Sequence, residues 1–260
     1  VEPWKLEPAH DHGLSPAERA RSLKRESGLI HTAGHFTWSV MVRAYLRTYH
    51  RLSVEGSHHI PAKPPFILIA NHASHLDALV LASAMPIRSC DRIFPVAAGD
   101  VFFHTDPLAI FSAAFINALP MWRKNCGPHA LKQLRDRLIS EPCSYILFPE
   151  GARSRDGALL PFKAGLGMII GDSSVPVVPC AITGAFEALH ANAKLPSPTR
   201  IRVRIGKPLT FTDLPDGREG WSIVAERSRQ AVEALLGGPK QPKASATAPS
   251  RATGQSPATD

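Results

Sequence analysis

Two short apolar runs constrain this chain more than any other feature. Phe66-Ile67-Leu68-Ile69-Ala70 carries no polar side chain, and Ser144-Tyr145-Ile146-Leu147-Phe148 carries no charge. Runs of this length suit strands buried on both faces. Each run ends abruptly in chemistry-bearing residues. Asn71-His72-Ala73-Ser74-His75-Leu76-Asp77 follows the first, and Phe148-Pro149-Glu150-Gly151-Ala152-Arg153-Ser154 follows the second.

The rest of the chain supplies layers to cover those strands. Asp77 to Met85 reads as a helix. Pro128 to Ser140 does too, with Pro128 suited to a first turn and Leu131, Leu134 and Leu138 sharing a face. Glu219 to Leu236 closes the fold as a helix. Pro95 to Asn117 is rich in Ala and Phe and reads as helical segments broken at Pro107. Val175 to Ile182 is a third strand, interrupted by Pro176 and Pro179. Ile201, Val203 and Ile205 alternate with Arg200, Arg202 and Arg204, which predicts a strand with one buried face. Strands alternating with helices indicate an α/β fold: one domain, over 51–236, with a mixed, largely buried sheet flanked by helices. Residues 1–28 are polar, with a short charged helix expected at Pro16 to Glu26, and they do not read as a secretory signal. Residues 237–260, nearly devoid of large apolar side chains, read as a disordered tail.

Residues 29–50 form an amphipathic helix preceding the domain. Thr32, His35, Ser39, Arg43, Arg47 and His50 make a polar, basic stripe. Ile30, Ala33, Thr37, Trp38, Met41, Tyr45 and Tyr49 make a mostly apolar face opposite. The uncharged stretches fall short of the roughly 20 apolar residues that span a bilayer. Two readings stay open: a helix lying in a membrane interface, or one packed on its own domain. The formal charge of +8 suggests an acidic partner, either an anionic membrane surface or an acidic carrier protein. Solubility plus a basic tail is the plainer account. Nucleic acid is not expected, because the chain has no zinc knuckle, base-stacking signature or recognition helix. The cysteines at 90, 126, 143 and 180 are too scattered for a metal or redox pair and fit a reducing compartment.

His72 and Asp77 would sit about 140° apart on a helix, so they cannot share a helical face. They meet if His72 lies on the loop leaving the strand and Asp77 opens the next helix. Asp77 then accepts the ring N–H, and the other nitrogen can take a hydroxyl proton. A purely structural hydrogen bond is the alternative. His72, His75 and Asp77, with His58 and His59, also offer a metal-site reading, although nothing else has ligand spacing. Ser74 as a nucleophile lacks the Gly-x-Ser-x-Gly elbow. In the second segment Gly151 permits close backbone approach, and Arg153 offers a fork of donors to a phosphate beside Ser154. Glu150 would repel that phosphate, so it is expected to bond backbone, a substrate hydroxyl or Arg153. A surface ion pair on a turn is the alternative. A base with its carboxylate, next to an anion site, suggests a reaction on a phosphorylated alcohol.

These blocks resemble the glycerolipid acyltransferase family, whose best-known members are the 1-acylglycerol-3-phosphate acyltransferases. The likeness covers roughly residues 50–210. Asn71-His72 to Asp77 is similar to its His-x4-Asp block. Phe148 to Ser154, continuing through Arg155-Asp156-Gly157 to Pro161-Phe162-Lys163-x-Gly165, is similar to its Glu-Gly block. Asn117 to Arg123 and Val175 to Cys180 stand where the second and fourth blocks lie. Ala152 replaces a usual Thr, removing one hydroxyl near the phosphate, and Ala97 to Asp100 lacks a lysine often found there.

The resemblance implies acyl transfer from acyl-CoA or acyl-carrier protein to a lysophospholipid, chiefly 1-acylglycerol-3-phosphate, giving phosphatidic acid. His72 would be the general base and Asp77 its orienting partner, with no covalent acyl-enzyme. Arg123, Arg153 and Ser154 would hold the acceptor phosphate, Glu150 and Gly151 would shape that loop, and the Val175 to Ile182 strand would line an acyl groove. No metal, cofactor or prosthetic group is expected. The location implied is peripheral, on the cytoplasmic face of the inner or plasma membrane. A lyso-ornithine lipid acceptor, a non-catalytic lipid-binding relative and a lipid hydrolase remain as alternatives.

Overall fold

The computed structural model describes residues 11–25, 28–122, 128–171, 173–190, 193 and 195–237. The tail expected to be disordered therefore lies, from residue 238, outside the described residues. In chain order the elements are α1 (Pro16–Arg21), α2 (Leu29–Thr48), β1 (Ser53–Glu55), β2 (Ile67–Ala70), α3 (Asp77–Ala84), β3 (Ile93–Ala98), α4 (Gly99–Phe102), α5 (Asp106–Phe115), β4 (Leu119–Met121), α6 (Pro128–Ser140), β5 (Ser144–Leu147), α7 (Gly165–Ile170), β6 (Val177–Thr183), α8 (Ala185–Ala188), β7 (Arg202–Ile205) and α9 (Arg218–Leu236). Short 3-10 turns occupy Ser57–His59 and Ile87–Arg92.

Seven strands among the described residues form one mixed sheet in the order β1-β7-β6-β2-β5-β3-β4. Neighbours are parallel except β6 and β7. The two apolar runs are the paired central strands β2 and β5, with Ile67 opposite Tyr145 and Ile69 opposite Leu147. Strand geometry sends alternate side chains to opposite faces. Ile67, Ile69, Tyr145, Leu147 and Val177 accordingly enter one core, under α6, α7 and α9. Leu68, Ala70, Ile146, Val178 and Cys180 enter the other, against Leu46 of α2 and Val80 and Leu81 of α3. Both faces are covered, which is why these strands tolerate no charge.

The connections locate a crevice. From β2 the chain passes through α3 to β3, on one side of the β2–β5 pair. From β5 it passes through α7 to β6, on the other side. Crossovers leaving adjacent parallel strands in opposite directions open a gap at the strands' carboxyl ends, where α/β proteins bind ligands. Both motif loops begin there.

Several expectations are corrected. Pro95 to Asn117 is not all helical, because Ile93–Ala98 is a strand between β5 and β4. Its Ile-Phe-Pro-Val run is buried on both faces, but the alanines that follow blur it into the helix beyond. Pro107 does not break a helix; it sits in the first turn of α5, where its missing N–H costs nothing. The Val175 to Ile182 strand lines no groove, since its side chains from Val177 to Ile182 are all buried, with Val177, Val178, Cys180 and Ile182 in the two cores. β1 and β4, three residues each, gave no pattern to read.

The amphipathic helix forms as expected but is turned inside out. Its polar stripe, apart from the exposed Arg47, faces the protein. His35 bonds Asp91 at 3.0 Å, and His50 lies between Tyr45 Oη and the Thr199 carbonyl. Arg43 donates to the carbonyls of Ala82, Ser83 and Met85 at the end of α3. Trp38 turns sideways onto Phe111 and Phe115 of α5. The outward face carries Leu29, 86% exposed, and Met41, 55% exposed, with Phe36 and Val40 between them. Thr37 and Thr48 on that face return their hydroxyls to the carbonyls of Ala33 and Ala44. Among the described residues, no helix is long and apolar enough to cross a membrane.

Candidate active site

His72 stands two residues past the end of β2, and Asp77 is the first residue of α3. The loop between them is folded by Asp77 itself. One of its oxygens, Oδ2, accepts from His72 Nδ1 at 2.8 Å and from the backbone N–H groups of Ala73 and Ser74, both at 2.7 Å. A carboxylate at a helix N-terminus is further favoured by the helix dipole. The other oxygen, Oδ1, is buried without a hydrogen-bond partner. Ser74 is not poised as a nucleophile, because its buried hydroxyl donates to the Leu189 carbonyl. Asn71 pins the loop's start, exchanging two hydrogen bonds with the backbone of Ile182 on β6.

The tautomer of His72 follows from these contacts. With Nδ1–H donating to Asp77, Nε2 is the basic nitrogen. Its side chain is 24% exposed, and among the described residues nothing bonds Nε2. The ring stacks on Phe148 at 4.2 Å between centroids. Phe148 ends the second apolar run, so the strand that reads as mere core also supplies the platform for the His72 ring.

The second loop is tied to the first. Glu150, buried, accepts from the His72 backbone N–H at 2.6 Å and from the Leu160 N–H at 3.0 Å. This fulfils the backbone option among the partners expected for it. Burial, opposed by these two hydrogen bonds, pushes its carboxyl up to about 7. The Ser154 N–H donates to the His72 carbonyl at 2.8 Å. Its hydroxyl, buried, donates to Asp156 rather than facing the crevice. Gly151 holds φ at +69°, a conformation that strains other residues, and the Lys163 ammonium lies against it. Arg153 reaches back over the first loop to His75.

The site thus gathers His72, Asp77, Glu150, Gly151, Arg153 and Ser154 at one end of β2 and β5. Arg123 lies outside the described residues, just beyond β4, whose carboxyl end is on the same edge of the sheet. The metal reading of the first segment finds no support in this geometry. His72 spends Nδ1 on Asp77, His75 meets Arg153 instead, and His59 bonds the Ile205 carbonyl on β7. Phe148 and Lys163 are neighbours that the sequence does not mark as site residues, and His75, a metal candidate in the sequence, serves here as the partner of Arg153. Lys163 was visible only as part of the flank Pro161-Phe162-Lys163, and its approach to Gly151 depends on the turn between.

Known proteins match this frame. The 1-acyl-sn-glycerol-3-phosphate acyltransferase alpha of Mus musculus is 28% identical over 172 residues, covering 64% of this chain and 58% of the relative. That of Homo sapiens is 29% identical over 190 residues, covering 70% and 62%. The 1-acyl-sn-glycerol-3-phosphate acyltransferase of Limnanthes douglasii is 30% identical over 162 residues, covering 62% and 56%. The chain thus spans less than two thirds of the length of these relatives. In fold it is similar to the 1-acyl-sn-glycerophosphate acyltransferase PlsC of Thermotoga maritima, with a TM-score of 0.61 at 22% identity over 87% of this chain and 89% of that one. The sequence matches the acyltransferase family over residues 51–183, from the approach to β1 through the last residue of β6. That span encloses both loops and the strands that deliver them, and by it the chain belongs to the acyltransferase family.

Proposed function

We propose that this chain transfers a fatty acyl group from an acyl thioester, acyl-CoA or acyl-carrier protein, to the free hydroxyl of 1-acylglycerol-3-phosphate, giving phosphatidic acid. The observation that carries the reading is the His72–Asp77 pair with its open Nε2, 2.8 Å from base to carboxylate, beside a loop bearing Arg153. His72 Nε2 takes the proton of the acceptor hydroxyl as its oxygen attacks the thioester carbonyl. Asp77 stabilises the imidazolium that forms. When the tetrahedral intermediate collapses, the C–S bond breaks and the departing thiolate recovers the proton from His72. No acyl-enzyme forms, and side chains supply the proton transfer and the anion contact without a metal or prosthetic group.

Arg153 and Lys163 bring two cations to the rim of the crevice, and Arg123 follows β4 in sequence. We assign them to the acceptor phosphate, with Arg153 leaving His75 to form a bidentate contact. Ser154 acts through the loop, by its bond to the His72 carbonyl, rather than through its hydroxyl.

The outward face of α2 fits a peripheral place on an anionic, cytoplasmic membrane surface. Leu29, Phe36, Val40 and Met41 are exposed there, joined by Ile110, Phe111 and Phe115 of α5. A face this apolar, with threonine hydroxyls internally bonded, is suited to the headgroup boundary more than to water.

The test is thiol release from a long-chain acyl-CoA, with and without lysophosphatidic acid, in the wild type and His72→Ala. Acceptor-dependent release that collapses in the variant is expected. Release that ignores the acceptor would indicate a thioesterase. Equal rates with a phosphate-free acceptor such as a lyso-ornithine lipid would overturn the phosphate assignment. No turnover with either donor would leave a lipid-binding role.

A further inference from the structure

A second cluster of reactive side chains lies away from the crevice, where α2 crosses the turn at Ile87–Arg92. His35 Nδ1 is 3.0 Å from Asp91 Oδ1, and the Cys90 thiol donates to the same oxygen at 3.7 Å. The three donor atoms all fall within 4.8 Å of one another. His35 and Cys90 are buried, while Asp91 is partly open to solvent. We propose that His35, Cys90 and Asp91 form a binding site for a divalent transition metal ion of the zinc type, clamping α2 to the domain.

The geometry suits such an ion. Bonds of about 2.0–2.3 Å place tetrahedral ligands about 3.3–3.8 Å apart; of the observed separations, 3.7 Å falls inside that range and 3.0 Å just below it. Two hydrogens now converge on one Asp91 oxygen, from the imidazole and from the thiol. A cation replaces both. The thiol gives its proton to solvent, and the imidazole carries its remaining N–H on Nε2, where the Ser39 hydroxyl stands at 3.4 Å to receive it. That is the outer partner a metal-bound histidine requires. Thiolate and carboxylate then supply two negative charges against the ion's two positive ones, so the half-buried site becomes neutral. The fourth position opens to water beside Asp91.

The ligand set also selects the ion. A nitrogen, a sulfur and an oxygen favour zinc, cobalt or nickel over magnesium or calcium, which prefer oxygen alone. Burial and the Asp91 carboxylate raise the thiol above its ordinary range, and the nearby Arg43 guanidinium opposes them. A bound cation reverses that balance, because a coordinating thiol is deprotonated outright. The consequence is mechanical. The ion joins the helix carrying the exposed apolar face to the turn preceding β3, across 56 residues of sequence.

The experiment titrates the chelator-stripped full chain with Co2+ and reads its absorption. A thiolate-to-cobalt charge-transfer band saturating near one equivalent, bleached by Zn2+, is expected. Cys90→Ser should remove the band, and Ser39→Ala should weaken binding by about tenfold or more while keeping it. Zn2+ should raise the melting temperature of the wild type and not that of Cys90→Ser or Asp91→Asn. The proposal is overturned if no thiolate band appears, if it survives Cys90→Ser and so belongs to another cysteine, or if Zn2+ shifts the melting of wild type and Asp91→Asn alike.

Discussion

Two His–Asp pairs of nearly equal length stand among the described residues, 2.8 Å at His72–Asp77 and 3.0 Å at His35–Asp91. Everything around them differs. Asp77 is buried and takes two backbone N–H groups as well, whereas the Asp91 side chain is 37% exposed and is shared with a thiol. The second nitrogen of His72 faces the crevice; that of His35 meets Ser39 inside the fold. A His–Asp pair alone is therefore no sign of a base. What separates the two is a free basic nitrogen next to a place where substrate fits.

That contrast predicts different outcomes for turnover. His72→Ala should lower turnover by about 100-fold or more, with a stability cost comparable to that of His35→Ala, since its ring packs on Phe148 and bonds the buried Asp77. His35→Ala should leave turnover within about twofold and cost about 1–2 kcal/mol of stability, the worth of a buried hydrogen bond. Steady-state kinetics and denaturant melts on both variants decide it. A large turnover loss in His35→Ala with unchanged melting would erase the distinction.

The carboxylates sharpen the same difference. Asp77→Asn should damage both readouts, costing about 2–3 kcal/mol because a neutral amide replaces the acceptor of three donors, with turnover falling alongside. Asp91→Asn, partly solvated, should cost about 1 kcal/mol or less and leave turnover intact. Equal destabilisation would show that the solvent does not relieve Asp91.

The helix above His35 gives a further separation. Phe36→Asp combined with Met41→Asp removes apolar surface from the outward face without touching the buried pair. Vesicle binding in a sedimentation assay should fall about tenfold or more, while melting is unchanged. Unaltered binding would remove the membrane role from α2.

A pH-dependent difference concerns Glu150, which has no counterpart at His35. Its folded value, about 7, lies above the ordinary 4.5. Folding then takes up protons between those values, so this group's contribution is complete below pH 4.5 and is lost as pH rises through 7. Wild-type stability should decline across that window relative to Glu150→Gln. Parallel curves would mean that Glu150 stays ionised.

The two pairs also differ in how far they could be read from the chain. His72 and Asp77 are five residues apart, straddling a strand end and a helix start, so spacing alone places them together. His35 and Asp91 meet only because α2 folds back over the turn before β3, and no local pattern records that. Helical periodicity likewise separated the two faces of α2 but carried no sign for which one turns inward. Each inward polar group had to find a specific partner, as Arg43 does in three carbonyls. The central strands were legible because burial on both faces excludes charge. Ser154 was placed on the right loop, but its hydroxyl was spent on Asp156, a choice made by the turn rather than by residue type.

The grip of Arg43 on α3 bears on how portable this domain is. The family match begins at residue 51, after α2 has ended. Yet Arg43 satisfies the carbonyls at one end of the helix whose other end is Asp77, and Leu46 fills the core beneath it. Trimming the chain to the matched span would leave three carbonyl acceptors without their donor and take a core side chain from the far end of the helix that Asp77 opens. The smallest transplantable unit accordingly starts no later than α2, and a graft cut at the family boundary would carry the motifs without the brace that keeps them in register.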